Sequence, residues 1–192
     1  MATFGQFVIL AALVLSQNPS RGVDESKAAP CPALPHFDWN ACPFEGCTYR
    51  QWTAAEVVPV YDTWKENRRE VTRLAVGDKV VAITGVVITY RPGVIRVDED
   101  VPDAELKTGD LIRTYTYHGE RDTEACFKGK YYRFFDIHFS KSEDGFCGRQ
   151  HCEGTYIDAG QKAWWAKVKL KSRRTGWVDM YHAKFGNVDR FG

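Results

Sequence analysis

From Trp164 to Lys171 the chain reads WWAKVKLK, and this run constrains the fold more than any other stretch. Its side chains alternate. Trp164, Ala166, Val168 and Leu170 fall on one side, and Trp165, Lys167, Lys169 and Lys171 on the other. A period of two is the signature of a strand with one buried face. The pattern predicts a half-buried strand with Trp164 turned inward and Trp165 outward. No stretch carries a sustained helical stripe, so the expected class is mainly β.

The rest of the chain has the same texture. Val57, Val58, Val60 and Tyr61 form a short strand-like run, and Asp62 to Glu70 is a polar loop holding Trp64. Two β-branched runs between Val71 and Ile83 are separated by Gly77-Asp78, a turn signal. Val86 to Tyr90 predicts another strand, ended by Arg91-Pro92-Gly93, and Val94 to Val97 a further one. The acidic stretch Asp98 to Asp103 is expected at the surface. A second turn at Gly109-Asp110 leads into Leu111 to Tyr117. Lys107-Thr108-Gly109-Asp110 echoes Ala75-Val76-Gly77-Asp78, which we read as recurrent turn chemistry rather than an internal repeat. Tyr131 to Phe139 predicts a strand, and Ser140 to Gly154 a polar loop.

The amino terminus and the cysteines speak about compartment. Phe7 to Leu15 is an apolar run followed at once by Ser16-Gln17-Asn18-Pro19. That length suits the apolar region of a secretory leader and is too short to span a bilayer. Residues 1–17 are therefore expected to be a signal peptide, although no basic residue precedes the run. Cys31, Cys42, Cys47, Cys126, Cys147 and Cys152 make an even set in two clusters, the pattern of disulfides in an exported chain. Cys42 with Cys47 and Cys147 with Cys152 share one spacing, and each pair has a glycine that can turn the chain between them. Closing both locally leaves Cys31 with Cys126 as a long-range staple, but sequence alone does not choose among pairings. Zinc held by Cys42, Cys47, Cys147, His151 and Cys152 is the rival arrangement, and export disfavours it because free thiols oxidise there. The expected location is secreted or periplasmic, with no integral membrane segment once the leader is removed.

Charge excludes one class of partner. The 26 Lys and Arg nearly cancel the 25 Asp and Glu, and the basic runs are short, so no nucleic acid is expected as a ligand. Aromatic residues make up 14% of the chain. Small β domains fill their few core positions with large rings, so most of these should be packing elements.

The strand, polar loop, Gly-Asp turn and apolar strand of Val71 to Ile83, and the Trp, Lys/Val alternation and Gly176-Trp177-Val178 of Trp164 to Trp177, resemble the bacterial SH3-like (SH3b) family. The resemblance spans these two short segments. It implies a small SH3-like barrel over 54–192, interrupted by a large β-rich insertion at about 85–162 and preceded by a Cys/Pro-rich arm over 18–53 stapled by disulfides. Short strands joined by tight turns can close such a barrel and hide their edges. It also implies a non-catalytic binding module whose partner is cell-wall peptidoglycan or peptide. The rings expected to face that ligand are Tyr61, Trp64, Trp165, Trp177 and Tyr181.

Catalytic patterns are weak. No nucleophile elbow, zinc-protease helix, phosphate loop or dinucleotide glycine motif occurs, no cofactor is implied, and no metal ligands are assigned. Asp136 and His138 would share a strand face, which makes a cell-wall hydrolase with its site in the insertion the second reading. A structural or interaction subunit is the third. His118 follows a predicted strand end and is expected to be solvated, while His36, His151 and His182 have no partner near in sequence.

Overall fold

The computed structural model describes residues 29–119, 122–135, 139–140 and 152–189. The leader read over 1–17, Asp136, His138, Cys147 and His151 lie outside them. The described residues hold fifteen strands: β1 (Ala29–Pro30), β2 (His36–Trp39), β3 (Gln51–Ala54), β4 (Val58–Tyr61), β5 (Glu70–Leu74), β6 (Lys79–Arg91), β7 (Gly93–Val97), β8 (Leu111–Gly119), β9 (Asp122–Phe127), β10 (Lys130–Phe135), β11 (Phe139–Ser140), β12 (Gly154–Asp158), β13 (Gln161–Lys169), β14 (Thr175–Asp179) and β15 (Phe185–Gly186). Among the described residues there is no α-helix, only a 3-10 turn at Pro102–Ala104. The mainly-β class is therefore borne out, and no helix there is long and apolar enough to cross a membrane.

The strands form two sheets. One has the order β1-β10-β9-β8-β7-β12-β11, so all of its strands but β1 come from within residues 93–158. The other runs β15-β3-β6-β13-β14-β4-β5, with β2 also on β6, and curls into a half-barrel. The chain passes from one sheet to the other at Pro92, which separates β6 from β7 and cannot donate to a ladder. The stretch between the two resembling segments thus builds a sheet with its own core of Ile95, Val97, Leu106, Ile112, Ala125 and Phe127.

The alternating run sits at the centre of the half-barrel. β13 pairs with β6 from Gln161 opposite Arg91 to Lys169 opposite Val81, and with β14 on its other side. Trp164, Ala166 and Val168 point into the main core with Trp52, Val58, Val60, Val80, Ala82, Val87 and Val178. Trp52 is fully buried, stacks near Tyr49, Trp164 and Phe185, and donates its indole N–H to the Thr48 carbonyl at 2.9 Å. Where described, the arm of 18–53 takes part in this packing. β3 pairs with the first part of β6 and β2 with the last part, and the Cys42–Cys47 disulfide closes the loop between them.

Both Gly-Asp turns have the same build. Gly77 and Gly109 take φ of 85° and 90°, where a side chain is strained, and Asp78 and Asp110 each accept the N–H three residues back, at 2.9 and 2.8 Å. They belong to different sheets, so the echo in sequence is one turn type used twice. Cys31–Cys126 and Cys42–Cys47 are bridged, and Cys152 is also disulfide-bonded.

Candidate functional site

Trp165 lies opposite Trp164 on its strand, as the alternation requires, but it is only 3% exposed. The expectation of an outward ring free for ligand is corrected here. The loop after β4 folds back over that face, and Arg68 lays its guanidinium 4.9 Å from the Trp165 ring and 5.3 Å from the Tyr61 ring. Cation–π contacts of this kind hold a loop down on a strand face. Trp165 is the floor of a small cluster with Val86 and Ile88, and Tyr61, Trp64 and Trp177 pack round it. Four of the five rings chosen from sequence therefore meet on one face, from positions more than a hundred residues apart. Tyr181, 58% exposed beyond β14, is not part of that cluster.

The face extends onto β2. Phe37 and Trp39 project from the same side, and Trp64 stands 5.5 and 6.0 Å from their rings. Phe37, Trp64, Arg68, Tyr90 and Trp165 line a groove of about 780 Å³, with Gln161, Asp179 and His182 adding polar groups. Trp39 and Tyr90 remain 51% and 45% exposed. Rings with one free face stack on flat or apolar ligand surfaces, and polar groups at the rim fix orientation.

The other side of β2 faces the junction between the two sheets. The inner row of β6, β2 and β13 is apolar as far as Val87 and Trp164, and then turns polar at Thr89, His36 and Lys162, which oppose one another in register. Asp38 precedes that change, opposite Val87. Glu124 of β9 and His118 of β8 meet this row from the other sheet. His118 Nε2 is 3.5 Å from Asp38 Oδ2 and 3.4 Å from Glu124 Oε1, while His36 Nε2 lies 3.0 Å from Glu124 Oε2. His118 is thus not a solvated residue beyond a strand end. It is held inside β8 and half-buried.

The charges show the strain of this meeting. Burial, with repulsion from Glu124, raises the Asp38 carboxyl, and His118 and Thr116 lower it by less. Contact with Glu124 raises the His118 imidazole against the opposing effect of burial. Burial also pushes Glu124 upward, but contacts from His118, His36 and Tyr131 outweigh it and bring its carboxyl to about 2. Burial lowers the Lys162 amine to about 8, with Glu124 acting the other way, and that amine donates to the Tyr115 carbonyl.

This seam was not assigned from sequence. Asp38, His118 and Glu124 come from distant strands, so no spacing motif marks them. The one available signal was His36-Phe37-Asp38-Trp39, whose alternation of polar and aromatic residues declares a two-faced strand. The cysteine–zinc arrangement fails here, because Cys42, Cys47 and Cys152 are all bridged and a bridged sulfur offers no thiolate. No protein-family model, curated protein or solved structure matches this chain.

Proposed function

We propose that this protein is a non-catalytic binding module, working secreted or in the periplasm, that takes cell-wall peptidoglycan in the groove beside Trp64. The observation that carries the reading is the convergence of Tyr61, Trp64, Trp165 and Trp177, with Phe37 and Trp39, on one face of the half-barrel. Tyr61, Trp165 and Trp177 form the base. Trp64, Phe37 and Tyr90 supply the stacking surface, and Arg68, Asp179 and His182 the polar groups. The resemblance of Val71 to Ile83 and Trp164 to Trp177 to bacterial SH3-like domains supports the ligand class, and the disulfides suit an oxidising compartment.

The test is titration of the purified protein with solubilised peptidoglycan fragments, followed by tryptophan fluorescence. Trp64→Ala and Phe37→Ala are each expected to weaken binding at least about tenfold, the loss of one good stacking contact. Stem peptide alone and glycan alone, run as separate arms, show which part the groove reads. Absence of saturable binding by the unaltered protein, or equal binding by both variants, overturns the proposal.

A further inference from the structure

We propose that Asp38, His118 and Glu124 form a three-ligand site for a divalent transition metal of the zinc type, set in the seam between the two sheets.

Three observations converge on it. The first is geometric. One ligand atom from each residue lies within 4.8 Å of the others, and His118 Nε2 stands 3.5 and 3.4 Å from the two carboxylate oxygens. Zinc bonds to nitrogen and oxygen are about 2.0–2.1 Å, which puts neighbouring ligands of a tetrahedron about 3.3–3.4 Å apart. The separations to His118 already match such an edge. The second is the state of the atoms themselves. Asp38 Oδ2 and His118 Nε2 are buried and neither makes a hydrogen bond, although they face each other. Buried polar atoms are nearly always paired, so two orphans aimed at one point call for a third party. The third is charge. Two carboxylates on side chains only 11% and 3% exposed meet there, and an imidazole that ligates a metal is neutral, so one divalent cation would cancel the charge of the set.

The surroundings suit such a site. His36 Nε2 lies 3.0 Å from Glu124 Oε2, so the second oxygen of this ligand is held by an outer hydrogen bond. The fourth position is left for water. A cleft of about 510 Å³, walled by the Cys42–Cys47 loop, Gly119, Asp122 and Arg133, reaches Asp38 and His118 from the solvent side. Lys162 lies close enough to act on Glu124, and Arg133 close enough to act on His118.

The experiment uses the full, oxidised chain stripped with a chelator and titrated with Zn²⁺ against a chromophoric competitor. One equivalent should bind, and His118→Ala and Asp38→Asn should each abolish that stoichiometric step. His36→Ala should weaken it about 10–100-fold, the range for an outer-shell partner. Co²⁺ in place of Zn²⁺ should give the intense visible bands of a four-coordinate centre. No stoichiometric binding, binding that survives both ligand variants, or weak six-coordinate Co²⁺ bands would overturn the proposal. If the variants do not fold, the His118 Nε2 chemical shift of the unaltered protein decides. A shift on adding Zn²⁺ supports the site, and an unchanged resonance refutes it. This site is separate from the aromatic groove, so either can fail alone.

Discussion

Lys162 shows how much one residue's neighbours change its chemistry. Its amine sits at the polar end of β13, donates to the Tyr115 carbonyl, and is lowered by burial from 10.5 to about 8. The folded chain therefore holds fewer protons here than the unfolded chain between about pH 8 and 10.5. Stability from this group is full above 10.5 and is lost as pH falls through that window. The unfolding free energy should rise with pH across it, and Lys162→Met should remove that part of the slope, read from denaturant unfolding at several pH values. Sequence alternation set Trp164 and Trp165 on opposite faces, and Lys162 lies before the run it covered. It did not give their burial. Trp165 is covered because Arg68 and Trp64 fold back from a polar loop, and no local pattern encodes where such a loop comes to rest. His36, Asp38, His118 and Glu124 were hidden for a related reason, since their partners stand across two sheets.

At the scale of elements, turn chemistry and strand pairing were readable, and close approach was not. Gly77 and Gly109 follow from their Gly-Asp context, and both take positive φ. Gly85 carries no such mark. A Cβ there would strike the Tyr49 hydroxyl and lie 2.9 Å from the Trp165 carbonyl oxygen, so the residue is small because β6 has neighbours crowded against it. The two glycines should respond differently. Gly77→Ala meets nothing within 4 Å and should cost about 1–2 kcal/mol from backbone conformation alone. Gly85→Ala should cost more and should also perturb the Trp164 indole, which donates to Tyr49 Oη at 3.3 Å. Equilibrium unfolding with tryptophan emission separates the two outcomes. The alternating run at Trp164 was legible because a period of two survives any tertiary context that buries one face. The four-residue β2 was not, because it lies in a stretch of Pro, Gly, Asn and Cys with no longer pattern to extend it.

For the molecule as a whole, the expectation that residues 71–83 and 164–177 come together is met by the β6–β13–β14 ladder, and the strands within residues 93–158 belong to a second sheet. Cys31–Cys126 ties the segment between β1 and β2 to β9 of that second sheet across 95 residues. A bridge closing so long a loop contributes about 4–5 kcal/mol in the chain-entropy account, and its loss typically costs about 2–5 kcal/mol. Replacing both cysteines with Ser should lower the unfolding free energy by that amount, whereas opening Cys42–Cys47, separated by five positions, should cost much less. Paired denaturation curves of the two double variants test this order. The relation between the sheets was the least legible feature of all, since the seam depends on which polar residues happen to sit at the end of an otherwise apolar row.

β2 shows one side chain set to the groove and the next to the seam: Phe37 and Trp39 outward, His36 and Asp38 inward. A four-residue strand cannot shift for one neighbour without shifting for the other. A cation held by Asp38 and a sugar stacked on Phe37 would therefore be thermodynamic partners, each changing the other's grip by the same factor.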